Sequence, residues 1–271
     1  MPEYPADLYK QYRPSYPQEL YSIVYKAVTD HSSFNLATDV GTGTGQTAIE
    51  LAKKFKNVVG TDISANMLNE AVVADNVSYK LATAEDFSKH FDPESVDLIT
   101  VSTAAHWFNM EKFYQESYKV LKPNGIVAIW GYGNFVAPDY PDITKLHQEY
   151  SVDFLEPYWD SGRHHLENLY LDQSFTKAPH FEIERSIYPD VPDVLKMTRQ
   201  PLLKKKMSLN DIKGYLHTWS AYKTFKEKRP NDIDPVDTFC SQMLSIIGTK
   251  RMETEIDIYW PIGMIMARKI A

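Results

Sequence analysis

The chain has 271 residues, with 29 Lys and Arg against 36 Asp and Glu, and a formal charge of −7. At 43% apolar and 24% charged it is neither disordered nor collagen-like, and its length suits one large domain. The single Cys240 rules out an internal disulfide and any multi-cysteine zinc or iron–sulfur centre, and the acidic balance argues against nucleic acid as a partner.

The N-terminal MPEYPADLYKQYRPSYP is broken by prolines and polar residues where a secretion signal needs an apolar run, and no segment reaches membrane-spanning length. A soluble, cytoplasmic protein without a membrane partner is expected. Pro17 opens a helix whose Leu20, Ile23, Val24, Ala27 and Val28 share a face. LATDV (36 to 40) reads as a first buried strand, and Gly45 leads into a helix with Ala48, Ile49, Leu51, Ala52 and Phe55 as its core stripe. Further strands follow at 58 to 61, 77 to 81, 96 to 101 and 126 to 130. Between them lie a helix capped by Ser64, with Met67, Leu68 and Ala71 inward, and a helix from Met110 to Leu121 stopped by Pro123 and the turn Asn124-Gly125. This alternation calls for a parallel sheet with helices on its faces.

After Gly133 the sequence turns Pro- and Tyr-rich. FEIERSIY (181 to 188) and the run from 253 to 267 alternate like half-exposed strands and are expected to pair antiparallel at one sheet edge. A basic, helical excursion from 191 to 250 lies between them. From Lys196 to Arg229 there are ten Lys and Arg against Asp211 and Glu227, so this stretch carries +8 and the remainder −15. Residues 134–180 and 191–250 are expected to form a substrate cap over the ends of the parallel strands, where open α/β sheets bind ligands. Residues 1–30 supply an N-terminal lid and helix, and 35–133 the ligand-binding core.

Glycine is scarce, only 11 residues, yet three fall together in Asp39-Val40-Gly41-Thr42-Gly43-Thr44-Gly45-Gln46. Closely spaced glycines at a strand-to-helix turn permit positive φ and let a ligand approach the main chain. A phosphate loop needs a lysine where Gln46 stands, and a dinucleotide fingerprint needs its third glycine at position 46. The remaining G-x-G-x-G form, with an acid two residues ahead, resembles motif I of the class I S-adenosylmethionine-dependent methyltransferases. The segments VVGTDIS (58 to 64), NVSYKLATAEDF (76 to 87), SVDLITVSTAAHWFN (95 to 109) and LKPNGIVAIW (121 to 130) resemble that family's later motifs in order.

The resemblance implies a Rossmann-like α/β domain with a seven-stranded, mostly parallel sheet, an antiparallel last strand and an inserted helical cap. It implies S-adenosylmethionine held by Asp39, Gly41, Thr42, Gly43, Gly45, Asp62, Ile63, Met67, Thr83, Ala84 and Glu85. Asp62 ends the second strand, where a carboxylate accepts the hydrogen bonds of a ribose diol. Thr83 stands where the family often has an acid, which leaves the adenine amine to Glu85, Asp86 or main chain.

RPSYP (13 to 17), AHWF (105 to 108), Pro157-Tyr158-Trp159 with Gly162-Arg163, and TWSAY (218 to 222) together resemble the fungal trans-aconitate methyltransferase group. That resemblance implies O-methylation of a small carboxylic acid. Methyl transfer from a sulfonium is an in-line displacement, so alignment in a dry site is the main requirement. A carboxylate is already ionised at neutral pH and needs no base, whereas a hydroxyl acceptor would need one, for which His106 is the candidate. Recognition of such an anion falls to Arg13, Arg163 with His164 and His165, and Arg199. His106, Trp107, Trp130, Tyr158, Trp159, Trp219 and Tyr222 are expected to shape the pocket. No metal is expected. An NAD-dependent oxidoreductase and a non-catalytic, methyltransferase-like binding module remain open as other readings.

Overall fold

Runs of β-branched and apolar residues fold into strands where the sequence expects them. β1 (Leu36–Val40), β2 (Asn57–Asp62), β3 (Val77–Leu81), β4 (Val96–Ser102) and β5 (Leu121–Tyr132) alternate with α1 (Gln18–Thr29), α2 (Gln46–Ala52), α3 (Ala65–Asn69) and α4 (Met110–Val120). The computed structural model describes residues 11–29, 33–190 and 198–270. The first ten residues of the expected lid, and residues 191–197 with Lys196, lie outside the described residues.

β5 starts at Leu121 rather than Ile126. Leu121 already pairs with Val96, and the expected Asn124-Gly125 turn survives as a register shift inside the strand, with Asn124 at φ 63°. The chain then runs through α5 (Pro141–Gln148), which continues into a π-helical turn at Glu149–Phe154, and through α6 (Arg163–Glu167), β6 (Phe181–Tyr188), β7 (Leu203–Ser208), α7 (Leu209–His217), α8 (Ser220–Lys228), α9 (Pro235–Ile247), β8 (Glu255–Trp260) and β9 (Ile262–Lys269).

The main sheet has seven strands in the order β3-β2-β1-β4-β5-β9-β6. The first five are parallel, and β9 runs antiparallel to both β5 and β6. Two expectations are corrected. The run from 253 to 267 is two strands, because Pro261 donates no hydrogen bond, and its carbonyl accepts the N–H of Gly133 at 2.9 Å. The second of them, β9, pairs antiparallel with β6 at one edge of the sheet as expected, and its other side pairs with β5. The first, β8, pairs with β7 in a separate two-stranded sheet, so the excursion is not wholly helical. Lys204, Lys205 and Lys206 are exposed on β7, whose ends are held by buried Leu203 and Met207.

Strand periodicity divides the core between the faces of the sheet. Leu98, Ile126, Ala128 and Trp130 join α1 and α2 and continue through Ile212, Leu216, Trp219, Phe239 and Met243 of the cap. Ile99, Val101, Val127 and Ile129 meet Phe113 of α4 on the other side. The cap therefore shares one core with the sheet. No helix among the described residues is long and apolar enough to cross a membrane.

Buried Asp97, near the start of β4, ties this layer together. Its carboxylate accepts Lys122 Nζ at 2.7 Å, Ser33 Oγ at 2.8 Å and the main-chain N–H groups of Asn35 and Leu36 at 3.1 and 2.9 Å. Removing it strands a half-buried lysine and two amides. Asp97→Ala should cost about 3–5 kcal/mol and lower Tm by on the order of 10 °C. A Tm unchanged in a thermal melt would contradict this role.

Candidate active site

The parallel strands point their C-terminal ends at one cavity of about 740 Å3, and Gly41, Ser102, Thr103 and Tyr132, at or just past the ends of β1, β4 and β5, line it. The chain leaves β1 toward β2 and β3 on one side and later enters β4 and β5 on the other, so the cavity sits at the switch point of the sheet.

Gly41, Gly43 and Gly45 all adopt positive φ, at 71°, 56° and 81°. They are glycine for different reasons. A Cβ on Gly45 would stand 2.1 Å from the Tyr79 hydroxyl, whereas the Cβ position of Gly43 meets nothing within 4 Å and faces the cavity as bare backbone. Asp39, buried below the loop, accepts Thr42 Oγ1 at 2.6 Å and Thr100 Oγ1 at 2.7 Å. Asp62 bridges two amides, Gly43 N–H at 2.8 Å and Ser64 N–H at 2.9 Å, and each oxygen keeps lone-pair capacity for a second donor. Ser64 caps α3 by accepting Met67 N–H at 3.3 Å.

Among the expected cofactor residues, Asp39, Gly41, Thr42, Gly43 and Met67 line the cavity. Gly45 sits behind it against Tyr79, and Asp62 reaches it through Gly43. Ile63 lies beyond it with 58% of its surface exposed. Thr83, Ala84 and Glu85 form a turn outside the wall. Asp86 accepts the Thr83 N–H at 2.9 Å, and the Glu85 carboxylate accepts Asn109 N–H at 2.8 Å. Thr44, Gln46, Glu70 and Val72 complete this end.

At the other end Arg13, His106, Trp107, Trp159, Arg163 and Trp219 come together. Arg13 donates to Thr218 Oγ1 at 2.8 Å, the Thr218 carbonyl at 3.3 Å and the Tyr132 hydroxyl at 3.2 Å, and lies 5.1 Å over the Tyr215 ring. Arg163 donates to Asn134 Oδ1 at 2.9 Å and lies 4.7 Å over the Trp159 ring. Its Nε is 3.3 Å from Glu167 Oε1, but the angle makes no hydrogen bond, and both atoms are buried. Burial lowers the pKa of Arg163 and the positive charge of Arg13 lowers it further, yet a guanidinium stays protonated at any physiological pH. Gly162 lets α6 approach His106, since a Cβ there would stand 2.3 Å from the His106 carbonyl oxygen. Burial, then the charge of Arg163, push the His106 imidazole down to about 3 and keep it neutral. Tyr16 hydrogen-bonds Thr103 beside it.

Three expected wall residues stand elsewhere. Trp130 is fully buried in the sheet against Tyr16 and Tyr21. Tyr158 packs on Phe225 with Lys228 over its ring, and the Tyr222 hydroxyl donates to Asp234 at 2.6 Å. His164 and His165 turn away from the cavity, to the carbonyl of Ser161 and the carboxylate of Asp172. Arg199 lies over Tyr188, outside the wall. Sequence reasoning passed over Tyr132, Asn134 and Tyr215, which form no local motif, and gave Thr218 only as the first residue of TWSAY. Four of the ten basic residues in the +8 stretch also meet acids from outside it. Lys206 pairs with Asp257, Lys213 with Asp237, Lys226 with Asp234 and Arg229 with Asp232, at 2.7 to 3.8 Å.

Burial pushes the Asp39 carboxyl up from 3.8 to about 7 against the pull of its two threonines. The folded state then holds this proton more tightly than the unfolded chain. Its contribution to stability is full below about pH 4 and is lost as pH rises toward 7. Asp39→Asn should become more stable relative to the native protein across that window, measured as the difference in Tm at pH 4.5 and 7.5. Parallel curves would contradict the assignment.

Positive-φ glycines with open backbone, an acid bridging the loop and an exposed apolar Ile63 beyond it suit a nucleoside bearing a charged, flexible tail. The comparisons agree. A methyltransferase-domain family profile matches residues 38–129. A Dictyostelium discoideum protein named as a methyltransferase is 34% identical over 265 residues, covering 96% of this chain and 92% of its own. A Saccharomyces cerevisiae protein named as an S-adenosylmethionine-dependent methyltransferase, CRG1, is 27% identical, covering 96% and 94%. The solved structure of an Anaeromyxobacter dehalogenans protein named as a type II methyltransferase superposes with a TM-score of 0.75 at 24% identity over 95% of this chain and 98% of that one, which shows the fold. The chain belongs to the class I S-adenosylmethionine-dependent methyltransferases, with S-adenosylmethionine as its cofactor.

Proposed function

We propose that the acceptor is a small carboxylate-bearing anion, of the trans-aconitate type, methylated on a carboxyl oxygen. The observation that carries this reading is the pair of guanidinium groups, Arg13 and Arg163, in one aromatic-walled chamber that opens into the cofactor loop. They lie close enough for one charge to disfavour the other. An anion between them relieves that repulsion and meets two fork-shaped donors. Trp219 Nε1 adds an N–H group that is buried without a hydrogen-bond partner among the described residues, and a carboxylate oxygen suits it.

When bound, S-adenosylmethionine supplies an electrophilic methyl group on a positively charged sulfur. The chain's own residues hold and orient. Arg13 and Arg163 fix the acceptor, and Trp107, Trp159, Trp219 and Tyr215 exclude water. His106, held neutral, takes no proton, since a carboxylate acceptor has none to give at neutral pH. A hydroxyl acceptor would call on the same imidazole as a base, a task ill suited to a group pushed down to about 3. Neither nucleic acid nor a membrane surface enters this reading: the chain is acidic overall, and four of the ten basic residues of the stretch already face aspartates.

Arg163→Ala should raise KM for a tricarboxylate more than tenfold, a loss above ~1.4 kcal/mol, while S-adenosylhomocysteine affinity stays unchanged. His106→Gln should leave kcat within a few-fold. Steady-state kinetics with both variants decide the matter. Unchanged KM in the first removes Arg163 from the acceptor site, and a collapse of kcat in the second, with cofactor binding intact, favours a hydroxyl acceptor.

A further inference from the structure

Outside the cavity wall, on α6 and the loop that follows it, two histidines and an aspartate converge. We propose that His164, His165 and Asp172 bind a divalent transition-metal ion of the zinc type, which clamps the 168–172 loop to the helix that begins with Arg163. One nitrogen of each ring and one oxygen of Asp172 lie within 4.8 Å of one another. Zinc takes nitrogen and oxygen ligands at about 2.0–2.2 Å, which puts neighbouring ligand atoms about 3.3 Å apart, so small side-chain rotations complete the set. A ligand trio of two imidazoles and one carboxylate suits zinc, cobalt and nickel better than magnesium or calcium.

The neighbouring contacts orient the ligands. His164 Nδ1 lies 2.6 Å from the Ser161 carbonyl oxygen, an arrangement in which Nδ1 carries the proton and Nε2 keeps its lone pair for a metal. The two rings stand 3.8 Å apart between centroids. Asp172 occupies the N-cap position of the short 3-10 helix at Gln173–Phe175, yet its side chain makes no capping hydrogen bond. It turns instead to His165 Nδ1 at 2.7 Å. The loop between is built in rather than loose. Leu169 and Tyr170 take φ of 52° and 58°, Tyr170 is fully buried, and its N–H donates to the His165 carbonyl at 2.8 Å. Leu169 packs so closely on Gly263 of β9 that any Cβ there would stand 2.2 Å from its carbonyl oxygen. These contacts hold Asp172 in place beside α6 before any ion arrives. Glu167, beside Arg163, offsets the nearest positive charge.

The sequence reading expected no metal because it weighed cysteine spacing, and here the ligands are an adjacent His pair and an acid seven residues on. The site is independent of the acceptor reading and its test does not use turnover. Tag-free, chelator-treated full-length protein is titrated with cobalt(II), followed by the ligand-field absorption of bound ion, with zinc as the competitor. One equivalent should bind, zinc should displace it, and zinc should raise Tm. His164→Ala, His165→Gln and Asp172→Asn should each weaken cobalt binding at least ~10-fold, while His90→Ala, at an exposed histidine elsewhere, should leave it unchanged. Absence of a cobalt spectrum in the native protein, or a spectrum that survives all three substitutions, would overturn the proposal.

Discussion

Between Asp39 and Gly45 the chain must turn from a buried strand into a helix while leaving its own amides open to a ligand. Three left-handed glycines make the turn, and two carboxylates hold it from opposite sides. Asp39 takes the hydroxyls of Thr42 and Thr100 from below, and Asp62 takes the Gly43 and Ser64 amides from beside it. This links the ends of β1, β2 and β4, so the loop cannot shift without disturbing all three strands. The cost is a buried carboxyl that the fold prefers protonated up to about pH 7. A cationic cofactor above such a group would favour its ionised form.

The other end of the cavity follows a different constraint, the placing of positive charge in a largely apolar chamber. Arg163 is tolerated there because Asn134 accepts one of its N–H groups, Trp159 receives the face of its guanidinium and Glu167 stands nearby. Its field, after burial, is what keeps His106 neutral. Arg13 arrives from the N-terminal segment and is latched to the Thr218 turn after α7 and to Tyr132 of β5. The chamber is thus closed by residues far apart in sequence, and its chemistry depends on the cap and the sheet sharing one core.

The cofactor half was legible because its signal is local. Five strands, the glycine spacing, the cap at Ser64 and the acid ending β2 can each be read within a few residues, and each is where the sequence placed it except the start of β5, which begins at Leu121. The other end of the cavity was legible only in part. Arg13, His106, Trp107, Arg163 and Trp219 meet as the motif resemblance implied, but Trp130, Tyr158 and Tyr222 pack elsewhere, since an aromatic residue serves a core as readily as a pocket wall. β7 was hidden because three consecutive lysines mask strand alternation, and Pro261 split one expected strand into two that join different sheets. The net +8 of the basic stretch did not reveal that acids at 232, 234, 237 and 257 fold back against it. Spatial charge matching is a property of the fold, not of a sequence window.

The central claim is that one cavity joins a sulfonium methyl donor to an acceptor carboxylate. The most direct test incubates the protein with methyl-labelled S-adenosylmethionine and a panel of small acids headed by trans-aconitate, and then treats the isolated product with mild alkali. The account predicts a product heavier by one CH2 whose label is released as methanol, as from a carboxyl ester. Label that resists alkali, or no transfer to any acid by protein that still binds S-adenosylhomocysteine, would contradict it.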